Sequence, residues 1–129
     1  MAEPGAGYYP QQVQIDAYGN GGFRFAGMSH RGSLLCLPSG MQSWAVETAA
    51  GLTLESLKPA LEAADQLDVL LIGLGTEIVG LDPAIRAELK ARGVIVEAIA
   101  TGGAVRTYNV LMAEDRAVGA ALIAVENAK

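Results

Sequence analysis

A strand, helix, strand pattern in the second half of the chain most constrains its fold. Residues 69–72, Val-Leu-Leu-Ile, form a continuous apolar run that is typical of a strand covered on both faces. Asp82 followed by Pro83 predicts a helix start, and a second apolar strand follows at residues 94–96. Two strands joined by one helix lie parallel through a right-handed crossover. The pattern therefore predicts a central parallel pair in an α/β domain.

The N-terminal half predicts antiparallel strands instead. Apolar and polar residues alternate over residues 13–17, and Gly-Asn-Gly-Gly at residues 19–22 is typical of a tight turn leading to a strand at residues 23–25. Residues 29–37 predict a third strand, and residues 43–46 a short fourth one. Because no helix separates the first three strands, we expect them to form an antiparallel unit.

Helical spacing predicts two further helices. Apolar residues recur at intervals of three and four over residues 54–64, with Thr53 or, preferably, Ser56 as the N-cap. Thr101 can cap another helix. Residues 117–125 predict a final apolar strand, which we expect at the sheet edge next to the crossover.

Length and composition predict one domain. The chain has 129 residues, of which 51% are hydrophobic and 18% charged, so it can bury a core without a metal or a disulfide. We expect a single α/β domain over residues 13–125, with a mixed central sheet, a β-rich N-terminal part and about three helices. Residues 1–12 contain two prolines and two glycines and predict an irregular segment.

Charge and hydropathy exclude several partners. The net charge of −5 leaves no basic face for a phosphate backbone, so nucleic acid is not expected as a partner. The longest apolar run, at residues 69–74, is too short to cross a bilayer, and the N-terminus has no basic region followed by an apolar one. We therefore expect no membrane insertion, and a soluble protein that is most simply cytoplasmic.

The chain offers few groups for catalysis or metal binding. Cys36 is the single cysteine and His30 the single histidine, which is too few for a metal site. Ser29 adjoins His30, but neighbours on a strand point to opposite faces and cannot share a proton. We therefore predict no catalytic set and no metal, and we expect a protein without enzymatic activity.

A glycine loop follows the first central strand. Gly73-Leu-Gly75 lies where a dinucleotide-binding loop would lie, because glycines let a backbone approach a pyrophosphate. The third glycine of that pattern is missing, and the helix that begins at Asp82 starts too late to meet a phosphate there. We therefore interpret the loop as a tight turn and expect no cofactor.

Polar residues cluster where this loop is expected to face the helix that begins at Thr101. The predicted binding edge consists of Gly73, Gly75, Thr76, Thr101, Gly102, Arg106, Tyr108 and Asn109. Free N–H groups at the helix start, beside Arg106, could bind a small anion or a carboxylate. The structural alternative is that Thr101 caps the helix, Arg106 pairs with an acid, and Tyr108 and Asn109 bond to nearby loops. We favour that alternative.

Several separated motifs occur in the order of a known family. They are Gly-Ser-Leu-Leu at 32–35, Pro38, Trp44, Gly-Leu-Gly-Thr at 73–76, Arg-Thr-Tyr-Asn at 106–109, Glu-Asp-Arg at 114–116 and Ala-Ala-Leu-Ile at 120–123. Over residues 13–125 the chain resembles an uncharacterised small α/β domain family that includes mitochondrial respiratory complex I assembly factor 3 and the adipogenesis-associated domain proteins. The resemblance implies a three-layer fold around a mixed sheet and no established enzymatic activity. Similar sequences often carry cysteine where this chain has Val105, so thiol chemistry is not expected at this edge.

These observations leave three functional hypotheses. The resemblance favours a non-catalytic interaction module with a protein partner, which assists the assembly of a membrane-bound respiratory or other complex. The alternative is a small-molecule or anion-binding protein, or an unrecognised enzyme, that uses a pocket between residues 73–76 and the helix start at residues 101–109. The third hypothesis is a homo-oligomer formed through the apolar N-terminal strands.

Overall fold

The computed structural model describes residues 8–76 and 80–128, in which nine strands and three α-helices are found. The strands are β1 (Tyr8–Tyr9), β2 (Ala17–Gly19), β3 (Gly22–Phe25), β4 (Met28–Arg31), β5 (Ser33–Leu37), β6 (Gly40–Trp44), β7 (Val69–Gly73), β8 (Ile95–Ile99) and β9 (Val118–Leu122). The α-helices are α1 (Lys58–Glu62), α2 (Pro83–Ala91) and α3 (Thr101–Ala113). Short 3₁₀ helices occur at Ala49–Gly51 and Ala64–Gln66.

Six strands form a mixed central sheet in the order β1-β6-β5-β9-β7-β8. β7 lies parallel to both β8 and β9, whereas β5 lies antiparallel to β6 and β9. The predicted parallel pair is therefore confirmed, with Val69 opposite Ile95 and helix α2 between the two strands in sequence.

The central sheet has a hydrophobic core on each face, which confirms the three-layer fold. Alternate residues of β7 belong to different cores: Leu70 and Ile72 pack with α1 and α2, whereas Leu71 packs with α3. Trp44, predicted as part of a short strand, ends β6 and is buried in the first core, with its Nε1–H donating to the carbonyl of Ser56 at 2.8 Å. Continuous apolar strands are needed because both faces are covered.

A separate three-stranded sheet, in the order β2-β3-β4, lies on the α3 side of the central sheet. Both of its strand pairs are antiparallel, which confirms the predicted antiparallel N-terminal unit. Phe23 and Phe25 of β3 are buried and join the core that contains α3. The β-rich N-terminal part thus provides a cover for the central sheet as well as three of its strands, β1, β5 and β6.

The position predicted for the last strand is wrong. β9 was expected at a sheet edge, but it lies between β5 and β7 and joins the antiparallel and parallel halves of the sheet. Its small residues allow this central place. A side chain at Gly119 would come within 3.1 Å of the carbonyl oxygen of Cys36 and within 3.0 Å of Leu67.

Two predicted strands also differ from the structure. Residues 13–16 form no strand, because Ile15 is held by the side chain of Asn109 on α3 rather than by a neighbouring strand. The strand predicted over residues 29–37 is divided at Gly32, whose φ of +92° turns the chain from the small sheet into the central sheet. Of the segment 1–12 predicted to be irregular, residues 1–7 lie outside the described residues, and Tyr8–Tyr9 forms β1 beside β6.

Among the helix starts, only the one at Asp82 was predicted with the right cap. Asp82 is the N-cap of α2, and its Oδ1 accepts the N–H of Ala84 at 2.9 Å. The N-cap of α1 is Leu57, so Ser56 is not its cap and instead bonds with Thr53 in a turn before the helix. The N-cap of α3 is Ala100, so Thr101 is the first helical residue and not the cap, and its hydroxyl bonds to Gly75 and Ile123 instead.

Candidate functional site

Thr101 joins α3 to the C-terminal ends of two central strands. Its side chain is fully buried, and its hydroxyl accepts the N–H of Gly75 at 3.0 Å and donates to the carbonyl of Ile123 at 2.7 Å. The N–H of Thr101 donates to the carbonyl of Gly75 at 2.9 Å. Both hydrogen-bonding functions of this buried hydroxyl are therefore used within the fold.

The two glycines of the loop after β7, Gly73 and Gly75, allow this close contact. A Cβ on Gly73 would lie 2.9 Å from Oγ1 of Thr101 and 3.1 Å from Cδ2 of Leu122, which leaves no room for a side chain. Gly75 has a φ of +85°, a conformation that L-residues rarely adopt. At these residues the loop and the helix start touch directly. The loop at residues 73–75 is therefore a tight turn that packs against the start of α3.

Asn109 and Tyr108 hold the segment that precedes β2. The Asn109 side chain bonds to both backbone groups of Ile15, accepting its N–H at 2.8 Å and donating to its carbonyl at 2.7 Å. The Tyr108 hydroxyl donates to the carbonyl of Val13 at 2.7 Å, and Gln14 Nε2 donates to the carbonyl of Asn109 at 2.8 Å. This part of α3 therefore takes the role of a neighbouring strand for an irregular segment.

Tyr108 is buried beside Cys36 and Met41 in the core under α3. Burial, followed by the neighbouring Cys36, raises the pKa of Tyr108, and burial likewise raises the pKa of the Cys36 thiol. Both side chains have no exposed surface. Because neither group ionises near neutral pH or meets solvent, this pair does not provide a nucleophile.

Only part of the predicted edge reaches solvent. Gly73, Gly75, Thr101, Gly102 and Tyr108 are buried, and Asn109 is half-buried. Thr76 and Arg106 are exposed. The Arg106 guanidinium bends back along α3, and its Nη2 lies 3.9 Å from the position of a Cβ on Gly103. Within residues 8–76 and 80–128, Arg106 forms no salt bridge.

The glycine loop borders a small cleft on the side away from α3. Gly75 and Thr76 line a cavity of about 190 Å³ together with residues 47–49 and 123–125. The cleft lies near the C-terminal ends of β7 and β9, where open α/β sheets commonly bind ligands. Residues 101–109 do not line it. The structure thus brings the glycine loop and the start of α3 into contact at Thr101. The cleft beside the loop, however, is lined by residues 47–49 and 123–125 and not by α3.

The remaining chemistry-bearing side chains are dispersed. Among the residues described, no group of three or more His, Cys, Asp or Glu side chains could hold a metal. The His30 ring nitrogen Nε2 lies 3.0 Å from the carbonyl of Ser33, and Ser33 accepts the N–H of Ala124. Arg24 and Arg31, which sequence reasoning did not single out, lie on one face of the small sheet and line a larger cavity. The sequence holds no signal that pairs them, because their shared face depends on the strand register.

Comparison with known proteins assigns the family. A family model described as "Protein of unknown function (DUF498/DUF598)" matches residues 15–123. The chain belongs to this family. An uncharacterised protein of Rhodobacter capsulatus is 41% identical over 127 residues, which cover 98% of this chain and 94% of that protein. A crystal structure of a Bartonella henselae protein, described as an outer membrane protein, has a TM-score of 0.88 and 50% identity, covering 92% of this chain and 99% of that one.

A mammalian relative carries a functional name. NADH dehydrogenase [ubiquinone] 1 alpha subcomplex assembly factor 3 of Mus musculus is 32% identical over 115 residues, which cover 89% of this chain. Those residues span 62% of the mouse protein's length. The resemblance to the family that includes this assembly factor is therefore confirmed. Among the described helices, none combines the length and the apolar composition that crossing a bilayer requires.

Proposed function

We propose that this chain is a non-catalytic interaction module that assists the assembly of a membrane-bound respiratory complex. The observation that carries the proposal is the 32% identity, over 89% of this chain, to a protein named as an assembly factor of an NADH dehydrogenase. The match covers 62% of that protein's length, so it does not extend over the whole of it. An assembly factor acts by binding protein subunits, which requires an exposed recognition surface.

The exposed side of α3 supports such a surface. Gly103, Arg106 and Val110 follow one another at spacings of three and four, which places them on one face of the helix. Val110 is 55% exposed, although it is a large apolar residue, and Arg106 is exposed beside it. Arginine next to exposed apolar surface is typical of protein interfaces. We call these three residues the α3 face.

The internal hydrogen bonds favour this interaction over the small-molecule alternative. The side-chain polar groups of Thr101 and Asn109 form hydrogen bonds with the backbone of Gly75, Ile123 and Ile15. Direct contact between Gly73 and Thr101 leaves no space for a ligand between those two residues. Thr101 and Asn109 therefore hold α3 in place, whereas the exposed Arg106 and Val110 are available to bind a partner.

Co-purification with quantitative mass spectrometry tests the proposal. The tagged chain is expected to recover subunits of a membrane-bound respiratory complex, and Arg106→Ala is expected to lose most of them. Arg116→Ala is the matched control, because Arg116 is also exposed and its removal changes the net charge by the same amount. Recovery of no stable partner by any form would remove the support for the proposal.

A thermal-shift screen tests the alternative of a small-molecule or anion-binding protein. Nucleotides, sugar phosphates and carboxylic acids are each added to the purified chain. A ligand present at a hundred times its dissociation constant should stabilise the fold by about 2.7 kcal/mol. A ligand-dependent rise in the melting temperature that disappears in Arg106→Ala would favour this alternative over an interaction module.

A further inference from the structure

The outer face of the small sheet forms an open trough. Its cavity has a volume of about 400 Å³, and the residues that line it include Ala17, Gly19, Gly22, Arg24, Ser29 and Arg31. This volume is within the range of ligand-binding clefts. The trough is also larger than the cleft beside Thr76, which measures about 190 Å³. It is therefore a candidate binding feature that the α3 face does not include.

Strand register places the two arginines of the trough on the same face. Arg24 is opposite Ser29, and Arg31, two residues further along β4, is opposite Gly22. Residues two apart on a strand point to the same face, whereas Phe23 between Gly22 and Arg24 points into the core. Diagonal neighbours across two antiparallel strands lie roughly 7–8 Å apart, within reach of long side chains. The two guanidinium groups can therefore bind one ligand together.

The trough is a cationic site on an acidic chain. The net charge is −5, yet no aspartate or glutamate lines the cavity. Both Arg24 and Arg31 are exposed, and neither forms a salt bridge with another described residue. Guanidinium groups bind carboxylates through paired, charge-assisted hydrogen bonds. The charge of the trough is thus complementary to a ligand that carries at least two carboxylates.

The face of the trough carries polar as well as cationic groups. A Cβ on Gly22 would collide with the carbonyl oxygen of His30, and one on Gly19 would lie 3.3 Å from the backbone nitrogen of Ala128, so the chain's own backbone fills the space above both glycines. The Ser29 hydroxyl, on the same face as Arg24, adds a hydrogen-bonding group. Cationic and polar groups therefore lie together on this face of the small sheet.

We propose that this trough binds an acidic peptide segment of a protein partner, with its carboxylates on Arg24 and Arg31. The inference rests on the proposed function, because an assembly module needs a protein partner, and it names the chemistry of one segment of that partner. It also places this contact on the small sheet, separate from the α3 face. A partner could then be held by two different surfaces of the chain.

NMR titration of the full chain tests the proposal with a blocked hexaglutamate peptide. The amide signals of Arg24, Ser29 and Arg31 are expected to shift with hexaglutamate and to remain in place with hexaglutamine. The double variant Arg24→Gln with Arg31→Gln is expected to bind at least about tenfold more weakly, since two charge-assisted contacts are removed. The variant Arg116→Gln, with its charge change elsewhere, is expected to bind as the parent does.

Other outcomes overturn the proposal. Shifts that lie outside the trough, or that persist equally in the double variant, would show that the arginines do not bind the peptide. Equal shifts with inorganic phosphate at the same concentration would identify a small-anion site instead. Co-purification separates this failure from that of the proposed function. A partner lost by Arg106→Ala but retained by the double variant would leave the assembly role intact and refute the trough.

Discussion

Thr101→Val tests whether the Thr101 hydroxyl holds the two strand ends and α3 together. Valine has nearly the shape of threonine but lacks the hydroxyl, so the substitution removes the 3.0 Å bond from Gly75 and the 2.7 Å bond to Ile123 without opening a cavity. Thr101 has no exposed surface, so water cannot replace these bonds. Each buried group left unpaired costs about 1–3 kcal/mol. We expect the free energy of unfolding to fall by about 2–4 kcal/mol, a large part of the roughly 5–15 kcal/mol typical of a domain.

Urea unfolding followed by circular dichroism measures this loss, with Thr101→Ser as the control. Serine keeps the hydroxyl and loses one methyl group, which should cost only about 1 kcal/mol. The expected result is a lower midpoint for Thr101→Val than for Thr101→Ser, with similar slopes for both. If Thr101→Val were as stable as the wild type, or no less stable than Thr101→Ser, the hydroxyl would not hold these elements together.

Three further predictions follow from two other sets of hydrogen bonds and from the burial of Cys36. Asn109→Ala leaves both backbone groups of the buried Ile15 unpaired, so we expect the free energy of unfolding to fall by about 2–4 kcal/mol in chemical denaturation. A loss below about 0.5 kcal/mol would show that Asn109 does not hold Ile15 in place. Arg86→Ala removes the 3.1 Å bond from Nη1 to the carbonyl of Val96 on β8, which is an edge strand of the central sheet. Because an uncovered strand edge can pair with another chain, we expect more self-association in light scattering. An increase no greater than that of a matched Lys90→Ala would refute this. Burial raises the pKa of Cys36, so the folded chain keeps this thiol protonated. The stability it contributes is complete below the unfolded thiol pKa of about 8.5 and is lost as the pH rises above that value. A denaturation midpoint that does not decrease as the pH rises from 8 to 10 would contradict this.

Local patterns predicted the central elements of the fold. The strand at β7 and the helix start at Asp82 were predictable because a continuous apolar run and an Asp-Pro cap are fixed by adjacent residues. The central position of β9 was not, since its antiparallel neighbour is β5, where Leu34 pairs with Leu122. Pairing between such distant segments leaves no signal in local periodicity.

The same limit applies to the candidate site. Spacing on α3 placed Arg106 and Asn109 near one another, but it could not show that Asn109 faces Ile15, 94 residues away, rather than solvent. The alternation over residues 13–17 resembled a strand because α3 buries Val13 and Ile15 as a strand would. Arg24 and Arg31 were not singled out, since their shared face across two strands depends on the register that places Arg31 opposite Gly22.

The assembled amount of the membrane-bound NADH dehydrogenase tests the proposed function most directly. Cells that lack this chain are compared by native gel electrophoresis with cells that express the wild type, Arg106→Ala or Arg116→Ala. We predict that the fully assembled complex falls in the deletion, returns with the wild type and with Arg116→Ala, and stays low with Arg106→Ala. An unchanged amount of assembled complex in cells that lack the chain would contradict the assembly role.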